Sequence, residues 1–260
     1  MGRGIIPILQ ATPNLNLGSR ASLAVAVASL PTTILGETPA WRYHGGDATA
    51  TDWPAATFGD TLTLVGSGAA PTLNNGSDFN APGADDSVKL NAGKYYERSG
   101  DNTFGDVSTN DFWMKIILKF VNATTIIQGK FISGGPMWEM LIIVNASGQL
   151  SMQIDDGPDA VLQSQVGLTV GAWHAIDIVA DKSGSMRFYI DGVQGPADAD
   201  ISAVGDLDSN QPFSVGARST SGSNPTNCNI AYIACWQAAA WLASHDQDTL
   251  VAQHYADLII

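Results

Sequence analysis

Phe112, Met114, Ile116, Leu118 and Phe120 alternate with Trp113, Lys115, Ile117 and Lys119. Side chains that repeat every second residue point to opposite faces of a strand, so this run predicts β-structure with one dry face and one mixed face. Residues 125–133, 137–145 and 149–155 read as further strands, separated by Gly134-Gly135-Pro136 and Asn145-Ala146-Ser147-Gly148. Those residues favour turns by backbone freedom or by side-chain bonds to nearby amides. Then comes a hairpin. His174, Ile176, Ile178 and Ala180 form one face, Asp181-Lys182-Ser183-Gly184 turns the chain, and Met186, Phe188 and Ile190 form the returning face. Asp191-Gly192 ends it. His174, Ile176, Ile178, Met186, Phe188 and Ile190 are expected on one inner face. Residues 211–217 and 229–236 supply two more strands. Many short strands at this spacing predict an all-β, antiparallel sandwich.

The two ends read differently. Residues 1–36 hold no aromatic residue and no Asp, and their apolar groups, Ile5-Ile6-Pro7-Ile8-Leu9 and Leu23 to Leu30, are split by a polar link. Pro7, Pro13 and Pro31 break regular structure. Such a segment borrows a surface, either from its own domain as an extra strand or from a partner. We read it as an N-terminal arm, with Ile5, Ile6, Ile8 and Leu9 as the docking residues. The 23–30 run is too short and too deep in the chain for a signal or a membrane span. At the other end, Trp241, Leu242, Leu250, Val251, Tyr255, Leu258 and Ile259 recur at near-helical spacing. Ser244-His245-Asp246-Gln247 fits a capping box, which predicts one helix at about 244–258. The sandwich with its helix then occupies 37–260.

Charge narrows the partners. Twelve Lys and Arg face 25 Asp and Glu, a net charge of −13. Nucleic acids and anionic membranes need clustered cations, and none is present. Only three of the acids are Glu (Glu37, Glu97, Glu139). Asp suits turns and caps better than helix interiors, which again favours strands and loops. Cys228 and Cys235 lie seven residues apart in one apolar run. An extended strand separates them by roughly 23 Å, beyond any disulfide, so both are expected as buried thiols.

Residues 171–192 read G-A-W-H-A-I-D-I-V-A-D-K-S-G-S-M-R-F-Y-I-D-G. This resembles the hairpin of laminin-G/concanavalin A-like jelly rolls, with Trp-His opening one strand and Tyr-x-Asp-Gly closing the next. Asn75 to Leu90, residues 110–118, Phe213 to Arg218 and Ile230 to Trp236 are similar to flanking pieces of that family. The likeness covers about 55–240 and implies a concanavalin-like jelly roll. The layout also resembles domains of tailed-phage virion proteins, in which such a sandwich follows an arm and ends in a helix after an I-A-Y-x-x-x-W strand.

Some relatives of that fold cleave β-glucans with two nearby Glu, because retaining cleavage needs carboxyl groups about 5 Å apart. No two of the glutamates here fall within forty positions of each other. No nucleophile elbow, zinc-protease motif or phosphate loop occurs. His174 reads as a hydrogen-bonded core histidine. We therefore expect no catalysis and no cofactor. The resemblance also raises calcium, which relatives of that fold often bind. Asp206-Leu207-Asp208-Ser209-Asn210 opens like an EF-hand loop, but position six is Gln211 and position twelve is Ala217, so that cage cannot close. Asp198, Asp200, Asp206 and Asp208 are the residues that would share an ion in another geometry, and a solvated acidic loop is the expectation. Most of the seven tryptophans are expected in the core, with Trp113 and Trp138 the candidates to face outward and stack on a sugar.

The sequence thus points to a non-catalytic structural protein at the surface of a virus particle, a phage head decoration or tail component. Its partners would be other virion proteins and further copies of itself. The alternative is a carbohydrate-binding module or adhesin that recognises host glycans.

Overall fold

The computed structural model describes residues 30, 33–56, 59–79, 84–91, 93–98, 106–121, 125–131, 138–157, 160–207, 211–217, 227–239, 241–242 and 244–258. The first strands in chain order are β1 (Trp41–His44), β2 (Asp52–Trp53), β3 (Leu62–Gly66), β4 (Val88–Leu90) and β5 (Lys94–Glu97). Then come β6 (Asp111–Phe120), β7 (Thr125–Phe131), β8 (Trp138–Val144), β9 (Gln149–Asp155) and β10 (Ala160–Val166). The hairpin strands β11 (His174–Ala180) and β12 (Ser185–Ile190) follow, with β13 (Val193–Gln194), β14 (Ala199–Asp200), β15 (Ser214–Val215) and β16 (Cys228–Ala238). One helix, α1 (Gln247–Ala256), closes the series.

The strands form two antiparallel sheets. The first runs β1-β16-β6-β11-β12-β13, with β4 also on β16 and β14 also on β12. The second runs β10-β9-β8-β7-β15-β5-β3-β2. Late strands sit between early ones: β16 separates β1 from β6, and β15 separates β5 from β7. This return of the chain ties both ends into the sheets, as a jelly roll requires.

Between the sheets lies the main core. Phe112, Met114, Ile116, Leu118 and Phe120 face Met140, Ile142, Val144, Leu150, Met152 and Ile154 there. Ile176, Ile178, Met186, Phe188 and Ile190 join them, as the hairpin pattern predicts.

A second core covers the outer face of the first sheet. Trp113, Ile117, Ala175, Val179, Tyr232 and Trp236 lie beneath Trp241, Leu242, Val251 and Leu258. The face expected to be mixed is therefore buried too. Leu30 and Ile34, from the stretch assigned to the arm, belong to this same layer, so the end of the arm is part of the domain. Ile5, Ile6, Ile8 and Leu9 lie outside the described residues.

A bulge in β16 makes this two-sided burial work. Ile230 pairs with Leu118 and Tyr232 with Ile117, which leaves Ala231 as the extra residue. The bulge shifts the alternation by one, so Cys228, Ile230, Ile233 and Cys235 all reach the inner core. Both thiols are free and buried. Gly45 packs on the bulge, where a Cβ would stand 2.2 Å from the Ile230 carbonyl oxygen. At the hairpin's end, Asp191 (φ 52°) and Gly192 (φ 77°) make a two-residue turn that pairs Ile190 with Val193. Left-handed residues at both positions are what such a turn requires.

The helix begins later than the spacing predicts. Its cap is Asp246, whose carboxylate accepts from the Thr249 N–H at 3.3 Å and the Thr249 hydroxyl at 2.6 Å. Ser244 lies two residues before that cap. Among the described residues, no helix is long and apolar enough to cross a membrane.

Candidate functional site

The hairpin brings His174 and Asp191 together, a pair that resembles half of a catalytic triad. The His174 Nδ1 lies 2.8 Å from Asp191 Oδ2, and Asp191 Oδ1 accepts from the Ala175 N–H at 2.9 Å. A triad would need Nε2 free to take a proton from a nucleophile. Here Nε2 accepts the Thr169 backbone N–H at 2.9 Å. The imidazole thus carries its proton on Nδ1, which donates a hydrogen bond to the Asp191 carboxylate. These residues staple the 167–173 loop to the Asp191-Gly192 turn, so the Trp-His and Tyr-x-Asp-Gly marks of the hairpin have a structural role.

A second constellation lies under α1. Asp177 and Lys115 are cross-strand partners on β11 and β6. Both are fully buried, with Lys115 Nζ 2.9 Å from the carboxylate. The Trp113 indole N–H donates to Asp177 Oδ1 at 2.7 Å. Asp111, also buried, accepts the Lys182 N–H at 2.9 Å and the Leu242 N–H at 2.7 Å. It thereby ties the hairpin turn and the C-terminal segment to β6. The Tyr189 hydroxyl donates to Asp248 at 2.6 Å in the first helical turn. His254 lays its ring against Trp113, with centroids 5.3 Å apart. Burial holds the His254 pKa below its usual value, the Lys115 ammonium lowers it further, and Asp177 and Asp257 oppose the shift. Of these groups Asp111, Lys115 and Asp177 are buried, His254 is half-buried and Asp248 is exposed.

Of the aspartates expected to share a calcium ion, the three described ones, Asp198, Asp200 and Asp206, have the following surroundings. Asp198 pairs with Arg187 at 2.8 Å. Asp200 accepts from the Ser202 N–H at 3.0 Å and the Ser202 hydroxyl at 2.6 Å, and those bonds hold its pKa low. Asp206 is exposed, and Asp208 lies outside the described residues. No group of three or more metal-ligating side chains occurs among the described residues. Instead, the Lys182 ammonium donates to the carbonyls of Val204 and Gly205, both at 2.9 Å. Burial lowers the Lys182 pKa, while Asp156 and Asp206 raise it. The lysine thus ties the hairpin turn to the 204–205 backbone. In the sequence Lys182 reads as a turn residue, and its place as a cation among nearby acids is the signal for this role.

The tryptophans supply no exposed platform among the described residues. Trp41, Trp53, Trp113, Trp173, Trp236 and Trp241 are all buried. Trp113 does turn to the outer face, but the C-terminal segment covers it, which corrects the outward reading. The Trp138 side chain lies outside the described residues. What remains is the outer face of the second sheet. Register aligns Glu97, Ser214, Gly129, Leu141, Gln153 and Leu162 in one row across it. The next row carries Ile143, Ser151 and Ser164. Gln153 and Ser151 are half-buried, Ser164 is exposed, and Leu162 is 65% exposed. Gln149 donates to the Ser164 hydroxyl at 3.1 Å. Amides and hydroxyls beside an apolar side chain can match the alternating O–H and C–H surfaces of a small polar ligand.

Two antiparallel sheets, a jelly-roll return and a C-terminal helix define a lectin-like sandwich. The chain belongs to the concanavalin A-like lectin/glucanases superfamily, whose laminin-G-type family model matches residues 82–240, more than half of its length. No curated protein matches it by sequence. Among solved structures it is similar to the binding domain of botulinum neurotoxin serotype D, with a TM-score of 0.58 and 8% identity over 84% of this chain and 50% of that one. The binding domain of Paraclostridial Mosquitocidal Protein 1 is similar at 0.60 and 13%, over 86% and 52%. This chain thus spans about half of those two. Domain 4 of an extracellular GH43 arabinanase from Geobacillus stearothermophilus, solved with arabinotriose, matches at 0.56 and 14%, over 84% of this chain and 98% of that one. At these identities the likeness is one of fold.

Proposed function

We propose that the chain is a non-catalytic carbohydrate-binding module or adhesin. The observation that carries this reading is the match over nearly the whole of arabinanase domain 4, a module solved with an oligosaccharide in place. A serotype D botulinum ligand-binding domain of the same fold was solved with N-acetylneuraminic acid. We place the sugar on the outer face of the second sheet, at Gln153, Ser151 and Ser164. The reading invokes no metal. It needs no acid–base pair either. A glycan array with the full chain, followed by titration with arabinotriose and N-acetylneuraminic acid, tests it. Binding to at least one oligosaccharide, weakened about tenfold by Gln153→Ala, is expected; losing one well-placed hydrogen bond costs on the order of 1 kcal/mol or more. Silence across the array overturns it.

The second reading places the chain on a virus particle. It rests on the apolar, proline-broken run Ile5-Ile6-Pro7-Ile8-Leu9, which would dock on another virion protein. Both readings hold together if a virion protein also grips host glycans.

A further inference from the structure

Among the described residues the second sheet ends on β10, whose far side has no strand neighbour in the sheet order. Its sequence is A-V-L-Q-S-Q-V. An open edge exposes unpaired N–H and C=O groups, and proteins that stay monomeric protect it with charge, proline or shortness. None of these protections is present. The strand has seven residues, no proline and no charge, although the whole chain carries −13.

Side chains add to the argument. Gln163 and Gln165 turn inward and are buried. The Gln163 amide donates to the Ala197 carbonyl, and Gly195 packs against Gln165. These two inward side chains therefore fasten the strand to the 195–197 loop. Outward, Leu162 is 65% exposed, and on the neighbouring border of the first sheet Val193 is 68% exposed. These are two of the four exposed large apolar side chains among the described residues. Asp198, beside Ala197, is neutralised by Arg187.

We propose that β10 is the interface of a homodimer, in which two copies pair antiparallel about a two-fold axis through Gln163. The strand is self-complementary in that register. Leu162 of one copy stands opposite Ser164 of the other, so the two Leu162 side chains become diagonal neighbours on one face and cover each other. Ala160 stands opposite Val166, which places the acidic Asp155-Asp156 ends of the two copies apart. The two second sheets then join into one continuous sheet. A closed two-fold contact of this kind uses the same patch on both copies.

Light scattering over a concentration series tests this on the unmodified chain. The expected particle has twice the 27.3 kDa chain mass. Amide hydrogen exchange at 160–166 should slow as the dimer forms. Leu162→Asp and Ser164→Asp should each weaken dimerisation by about tenfold or more, since each places a charge beside its own copy. Both sites are exposed, so the melting of the monomer should hold. A monomer at every concentration overturns the proposal. So does a dimer whose 160–166 amides exchange as fast as in the monomer, whatever the substitutions do to folding.

Discussion

Asp177 carries the negative half of an ion pair that no water reaches. Taking two charges out of water costs several kcal/mol per ion, recovered only when geometry and hydrogen bonds are good. Here Lys115 and the Trp113 indole supply both. Asp177→Ala would leave the Lys115 ammonium buried and alone. Urea denaturation should show a loss of about 3–5 kcal/mol. Asp177→Leu with Lys115→Met removes both charges and should recover most of that loss. The pair was half legible in the sequence: Lys115 and Asp177 each interrupt an apolar run. Their contact was not legible, because it depends on the pairing of β6 with β11, sixty residues apart.

At the scale of elements, α1 is held by few apolar side chains, chiefly Val251 with Leu258 just beyond it. The Tyr189–Asp248 hydrogen bond adds a polar tie, and the His254 ring, packed on Trp113, is a group that titrates. Burial and the Lys115 ammonium keep His254 neutral in the docked helix, against Asp177 and Asp257. A histidine whose folded pKa is depressed binds more protons once released. Its contribution is therefore complete above the ordinary pKa of 6.5 and is lost as pH falls below that value. Acidification from pH 7 to pH 5 should loosen α1 before the sandwich opens. Hydrogen exchange at 247–256 would then rise while β6 and β11 stay protected, and His254→Phe should flatten that response. Unchanged exchange in α1 across this range would show that the helix does not sense the proton. The sequence announced a helix here but misplaced its start. Asp246 won the cap because its carboxylate reaches both groups of Thr249, whereas Ser244 sits too early to do so. The β16 bulge was invisible for a related reason: Cys228 and Cys235, seven apart, share one face only because Ala231 is unpaired.

For the molecule as a whole, the arm divides into two parts. Leu30 and Ile34 are buried in the second core, so they belong to the domain. Removing residues 1–29 should leave a folded, cooperative chain. Removing 1–36 should also strip those two side chains, each worth roughly 1.5–3 kcal/mol when fully buried. Thermal melts of the two truncations should therefore differ clearly, with the longer cut lower. If residues 1–29 dock on a partner through Ile5, Ile6, Ile8 and Leu9, the shorter cut should abolish incorporation into a particle without lowering the melt. Equal melts for both truncations would mean that the second core closes without its N-terminal cover.

Period-two runs such as 112–120 and 174–190 determined, by themselves, that this protein is an antiparallel sandwich. Alternation is local, and a strand with one apolar face must bury it against another. The turn residues Asp191 and Gly192 were equally readable, since left-handed backbone restricts the choice of side chain. Short strands such as β2, β13 and β14 left no such trace, because two residues show no period and pair only where neighbours hold them. The chemistry of the polar side chains lay beyond sequence for the same reason. His174 is a staple because a backbone amide from the preceding loop fills its second nitrogen. Lys182 is a tether because the carbonyls of Val204 and Gly205 accept from its ammonium. Which groups meet was decided by strands far apart in the chain, and only their packing brought those groups together.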